Sequence, residues 1–103
     1  MIGIYVVYWE KGTMSDFDKQ IIGAFVDKKE AEEFVDKFVE TLPWSLVLGT
    51  QLDIVITKWH GGTESTSYTY AYATDDYMIV DSEYIDSIKI EWEDGREKSI
   101  PAY

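Results

Sequence analysis

Ile21-Ile22-Gly23-Ala24-Phe25-Val26-Asp27-Lys28-Lys29-Glu30-Ala31-Glu32-Glu33-Phe34-Val35-Asp36-Lys37-Phe38-Val39-Glu40-Thr41-Leu42-Pro43 is the stretch that decides the fold class. Its first six residues form a short apolar run of strand length. Asp27 then offers a helix cap, with Glu30 three residues later in the spacing of a capping box. Ala31, Phe34, Val35, Phe38, Val39 and Leu42 recur at helical spacing and make one apolar stripe. Pro43 ends the pattern, because it lacks an N–H and restricts the residue before it. The spacing predicts a strand over 21–26 and a helix over Lys28–Leu42, with Phe34 and Phe38 in the core.

Strand patterns lie on both sides of this unit. Residues 2–9 are apolar on both faces, which predicts an interior strand covered on both sides, antiparallel to 21–26. The polar segment Glu10–Gln20 reads as a loop. Leu46-Val47-Leu48-Gly49 reads as a short strand or a connector. Leu52–Trp59 is a third strand, with Leu52, Ile54 and Ile56 on one face and Val55 and Trp59 on the other. His60–Ser65 reads as a loop, and Thr66–Thr74 as a strand that alternates Tyr68, Tyr70 and Tyr72 with smaller residues. Tyr77–Val80 is a further short strand. Ile88, Ile90 and Trp92 open a hairpin that turns at Asp94-Gly95, a dipeptide suited to a two-residue type I′ turn. That register would set Glu93 opposite Arg96 and Glu91 opposite Lys98. The expectation is one α+β domain over 1–103, a mostly antiparallel sheet with one amphipathic helix packed on a face.

The run Ile22–Phe34, with Gly23-Ala24-Phe25 followed by Lys29-Glu30-Ala31, resembles small uncharacterised bacterial and bacteriophage proteins built as strand, strand, helix, strand. The resemblance covers the first 60 or so residues and carries no catalytic residue. The acidic, tyrosine-rich composition is also similar to that of phage-encoded inhibitors of host defence, some of which mimic DNA. That likeness implies an inhibitor acting by protein–protein contact.

Composition excludes more than it selects. The chain has 103 residues, suited to a single domain. At that size about 65% of the unfolded surface is buried on folding, enough for one core. Aromatic residues make up 16%, which opposes disorder. There is no cysteine, so neither disulfides nor thiolate metal sites arise, and a reducing, cytoplasmic setting fits. No apolar run reaches the roughly 18 residues of a membrane span. Met1-Ile2-Gly3-Ile4-Tyr5 lacks the basic region of a secretory leader.

Catalytic signatures are weak. The one histidine, His60, lies in Trp59-His60-Gly61-Gly62, similar to an esterase oxyanion loop. No Gly-x-Ser-x-Gly accompanies it, and one histidine cannot serve as both loop and base. The stretch from Asp81 misses the calcium-loop pattern, because Ile85 and Asp86 fall where an acid and a glycine belong. No phosphate loop exists. The expectation is a non-enzymatic protein without cofactor or metal.

Charge is the most informative feature. The formal charge is −11, which opposes direct binding to nucleic acid or anionic membrane. Asp75, Asp76, Asp81, Glu83, Asp86, Glu91, Glu93 and Asp94 face only Lys89 within 75–94, a net of −7. Carboxylates two apart on a strand repeat at about 6.8 Å and can imitate a phosphate path. Those eight residues, with the aromatic stripe Tyr68, Tyr70 and Tyr72, form the candidate partner-binding surface. The partner expected is a basic, nucleic-acid-binding host protein, and a homo-oligomer is compatible. The alternative is an accessory or oligomerising domain whose acidity gives only solubility and guards sheet edges.

Overall fold

The computed structural model describes residues 3–13, 16–47 and 49–101. Six strands and two helices follow one another as β1 (Ile4–Thr13), β2 (Asp16–Phe25), α1 (Lys28–Glu40), α2 (Trp44–Val47), β3 (Gln51–His60), β4 (Thr63–Val80), β5 (Glu83–Trp92) and β6 (Glu97–Pro101). The strands make one sheet in the order β2-β1-β3-β4-β5-β6, and every neighbouring pair is antiparallel. β2 therefore runs antiparallel to β1, as its sequence leads one to expect.

The helix starts where the cap residue places it. Asp27 is extended (φ −116°, ψ 127°), and its carboxylate accepts the Lys29 N–H at 3.0 Å. It ends two residues earlier than the apolar stripe suggests. Thr41 leaves helical geometry and donates its N–H to the Phe38 carbonyl at 3.1 Å, two residues before Pro43. Ala31, Val35 and Val39 are fully buried, in one cluster with Val7, Trp9, Leu52, Ile54, Ile56, Ala71, Ala73, Ile88, Ile90 and Trp92. Phe34 and Phe38 are only half-buried against that cluster. They stack on each other at 6.1 Å, and Phe34 meets Phe25 at 5.2 Å. The centre of the buried stripe is thus made of small residues, and the large rings close its flank.

Four expectations are corrected by tertiary pairing. Within the expected loop Glu10–Gln20, the segments Glu10–Thr13 and Asp16–Gln20 are strand: β1 and β2 continue as a ladder to Thr13↔Asp16, and Met14 and Ser15 lie outside the described residues. Asp18, Lys19 and Gln20 stay exposed while their backbone remains paired, so polarity alone does not end a strand. Leu46–Val47 belongs to a one-turn helix rather than a strand, with the Leu46 N–H donated to the Pro43 carbonyl and Val47 fully buried; Leu48 lies outside the described residues. His60–Ser65 is a tight turn between His60 and Thr63, in which Gly61 (φ 62°) and Gly62 (φ 85°) supply the left-handed conformations. β1 is interior, but both helices contribute to only one face of the sheet cluster. On the other face Tyr8, Val55 and Thr57 are buried without a helix, and Thr57 Oγ1 lies 3.2 Å from the Tyr8 hydroxyl, which accepts its hydrogen bond.

The two strands expected over 66–74 and 77–80 are one strand of 18 residues. β4 loses its partner β3 at Thr74, and β5 loses β6 at Ser87. From Tyr77↔Asp86 outward to Val80↔Glu83, β4 and β5 pair only with each other among the described residues. This free ribbon is about 14 Å long by strand geometry. It contributes to extents of 55 × 31 × 20 Å and to a radius of gyration of 15.0 Å, against about 13 Å for a compact chain of this length. No described helix is long and apolar enough to cross a membrane.

Candidate functional site

The ribbon turns at Asp81 (φ 50°) and Ser82 (φ 67°), both left-handed, between the paired residues Val80 and Glu83. Asp tolerates this conformation because its short side chain bonds locally. The ribbon is apolar as well as acidic. Tyr77 is 56% exposed, Ile79 64% and Tyr84 74%, and Val80 is also exposed. The Tyr77 and Tyr84 rings meet edge to face at 5.0 Å. Paired residues in an antiparallel ladder share a face. Asp75, Tyr77, Ile79, Tyr84 and Asp86 therefore lie on the face carrying the helices, and Asp76, Met78, Val80, Glu83 and Ile85 on the other. Both faces mix carboxylates with apolar side chains, and 75–88 contains no Lys or Arg. Asp75 is tethered by the Gly49 N–H at 3.2 Å, and Asp76 accepts the Tyr77 N–H at 2.8 Å.

The eight acidic candidates do not gather at one place. Asp81, Glu83 and Asp86 belong to the ribbon, and Asp75 and Asp76 lie at its base. Glu91 projects beside Tyr72 on the face away from the helices and pairs with Lys89 at 3.2 Å. Glu93 and Asp94 occupy the turn at the far end of β5. That turn is also one residue longer than expected. Glu91 faces Glu97 and Ile90 faces Lys98, and the Trp92 N–H bonds to the Arg96 carbonyl. Glu93, Asp94 and Gly95 (φ 96°) form a three-residue loop in which the glycine takes the left-handed position. Arg96 bonds Asp94 at 2.8 Å and Lys98 bonds Glu40 at 3.2 Å, so both cations serve partners other than the cross-strand glutamates expected.

The tyrosine stripe is broken as well. Thr69 pairs with Val55 and Ala71 with Ile54, so Tyr70 is an extra residue on β4. This bulge inverts the alternation. Tyr68 and Tyr70 lie on the helix side, while Tyr72 lies opposite, beside Asp53.

The bulge creates a second constellation. Asp36 Oδ1 on α1 accepts from Trp92 Nε1 at 2.9 Å, the Tyr70 hydroxyl at 3.2 Å and an Arg96 guanidinium N–H at 3.4 Å. Arg96 also donates to the Tyr70 hydroxyl at 3.0 Å, and its guanidinium lies 4.7 Å over the Trp92 ring. Asp36, Trp92 and Arg96 were not legible as a group, since they come from a helix, a strand and a turn. Beside them a cleft of about 620 Å³ is lined by Lys28, Glu32, Tyr68, Tyr70, Glu93 and Asp94. The Lys28 ammonium lies 5.4 Å from the centre of the Tyr68 ring.

Burial, with the charges of Glu32 and Glu93, holds the Tyr68 phenol above its ordinary 10.0; burial, with Asp36, does the same for Tyr70. The folded state therefore keeps these protons longer than the unfolded chain. Their contribution to stability is complete below pH 10.0 and is lost as pH rises through the folded values. Urea unfolding is expected to show stability falling above that pH, and Tyr68→Phe to flatten the fall. The Tyr68 hydroxyl is buried without a partner among the described residues, so the same variant should unfold at wild-type urea concentration near neutrality. An alkaline slope identical in wild type and variant would refute this assignment.

His60 is exposed at the β3–β4 turn, where the His-Gly-Gly run encodes backbone conformation. No group of three or more His, Cys, Asp or Glu suited to a metal occurs among the described residues. Comparison of the chain with protein families, with curated proteins and with solved structures finds no match.

Proposed function

We propose that this protein is a non-enzymatic, cytoplasmic protein-binding inhibitor, an α+β domain in which α1 covers one sheet face and the β4–β5 ribbon is the business end. The ribbon enters a basic nucleic-acid-binding site on a host protein and competes there as a DNA mimic, in the manner of the phage-encoded anti-defence inhibitors that the composition resembles. The observation that carries this reading is the ribbon's surface: Tyr77, Ile79 and Tyr84 stand exposed among five carboxylates with no cation between them. Exposed apolar clusters rimmed by charge mark interaction sites. Complementary charge speeds association, and burial of the aromatic rings slows release.

The test is a protein captured from lysate at low salt, then titrated with the wild-type chain and with Asp75→Asn, Asp76→Asn, Asp81→Asn and Glu83→Gln combined. Asparagine keeps the oxygen that accepts from Gly49 and Tyr77, and it suits the left-handed turn. Folding should stay within about 0.5 kcal/mol of wild type. Affinity should fall about tenfold or more, chiefly through slower association, and its salt dependence should flatten. Unchanged affinity with unchanged salt dependence would overturn the proposal.

A second reading, an oligomerising domain, is favoured by Ile4, Ile21 and Trp59, which are exposed on the sheet face away from the helices. Sedimentation across a range of concentrations separates it from the first, since a persistent monomer removes it.

A further inference from the structure

We infer that the cleft between the start of α1 and the β5–β6 turn binds an organic cation, a guanidinium or ammonium group, on the face of Tyr68. The inference stands on the cleft and does not depend on the ribbon.

The cleft's wall is aromatic, from Tyr68 and Tyr70, and its rim carries Glu32, Glu93 and Asp94 against Lys28 alone. Asp94 is already engaged by Arg96 at 2.8 Å. Glu32 and Glu93 form no ion pair within 4.0 Å among the described residues. Two carboxylates are therefore left beside a tyrosine ring, the arrangement that attracts a cation through both charge and ring quadrupole.

The chain itself samples this chemistry. The Lys28 ammonium lies over Tyr68 at 5.4 Å, a position that an incoming cation would take. Lys28 is exposed, on a flexible four-carbon stem, and holds no ion pair there among the described residues. It can swing away at small cost. Next door, Arg96 shows the completed form of the same motif: a guanidinium over the Trp92 ring, with carboxylates Asp94 and Asp36 bonded to its edge. A guanidinium stacked on Tyr68 with Glu32 and Glu93 at its edge would repeat it. The volume of about 620 Å³ admits such a group with its methylene stem. An anion is opposed by the carboxylates, and a neutral ligand gains no charge attraction from them.

The cation has two sources, a small free amine or a side chain of a partner protein. Titration of the full chain with argininamide, followed by amide chemical shifts, tests the shared chemistry, and a short arginine-containing peptide forms the second arm. Sodium chloride at matched concentration is the control. Saturable shifts are expected at Tyr68, Tyr70 and Glu93 with argininamide and not with sodium chloride. Lys28→Ala should bind several-fold tighter, because it removes the internal competitor. Glu32→Gln with Glu93→Gln should bind several-fold more weakly. Tighter binding of the peptide than of argininamide would assign the cation to a partner's side chain, and equal binding to a free amine.

The four-residue ribbon variant should bind argininamide as wild type does, which separates this site from the ribbon. Shifts reproduced by sodium chloride would overturn the inference. So would weaker binding by Lys28→Ala, or loss of binding in the ribbon variant, which would reduce the effect to overall charge.

Discussion

Alanine at Ile54 is expected to destabilise the protein by about 2–5 kcal/mol, the largest effect of any single substitution considered. Ile54 is fully buried in β3 and stands between Trp9 of β1 and Ala71 of β4. It belongs to the cluster that joins the sheet to Ala31, Val35 and Val39 of α1. Removing three carbons there loses transfer free energy and leaves a cavity, because strands fixed by ladders on both sides cannot close in. The melting temperature should drop by about 10 °C or more for a domain of this size. A loss below about 1 kcal/mol in urea unfolding would show that the site relaxes freely and that the centre of the sheet is not tightly packed.

The second large effect is expected at Asp36. One carboxylate oxygen there serves three donors, from Trp92, Tyr70 and Arg96. Trp92 and Tyr70 are buried, so their donors have little water to turn to. Asp36→Ala should cost about 2–3 kcal/mol, the penalty for stranding donors after water has partly filled the gap. Asp36→Asn keeps an acceptor oxygen and gives up the charge, so it should fall between alanine and wild type. Thermal unfolding of the three proteins checks the order. Alanine and asparagine losing equal stability would mean that charge alone matters at this position, and the hydrogen-bond account would fail. The same experiment bears on the cleft, because Asp36 holds α1 against the β5–β6 turn that frames it.

Local periodicity made much of the architecture legible. The cap at Asp27, the buried faces of β3 and of Ile88–Trp92, and the antiparallel pairing of β1 with β2 follow from patterns a few residues long. Their physical cause is equally local: a capping carboxylate, a two-residue side-chain alternation, an apolar stripe. The concentration of charge in 75–94 was also readable, because charge is a property of composition.

Position in space was not readable in the same way. A single inserted residue at Tyr70 moved Tyr72 to the other face and turned Tyr70 toward Asp36. A three-residue turn in place of a two-residue one shifted the β5–β6 register and sent Arg96 and Lys98 to partners on α1 and in the turn. β4 reads in sequence as two fragments, because Asp75-Asp76 interrupts its apolar pattern. Cross-strand pairing with β5 keeps it continuous, and the left-handed turn at Asp81-Ser82 has no glycine to announce it.

By itself, then, the sequence determined where the helix begins, which faces are apolar and how negative the protein is, since each depends on neighbours in the chain. Tertiary structure alone decided that the acidic segment divides between a free ribbon and a distant turn, and that Tyr68, Lys28, Glu32 and Glu93 meet in one cleft. Those outcomes depend on bulges and turn lengths, where one residue inverts every side chain that follows, and no short-range pattern records that choice.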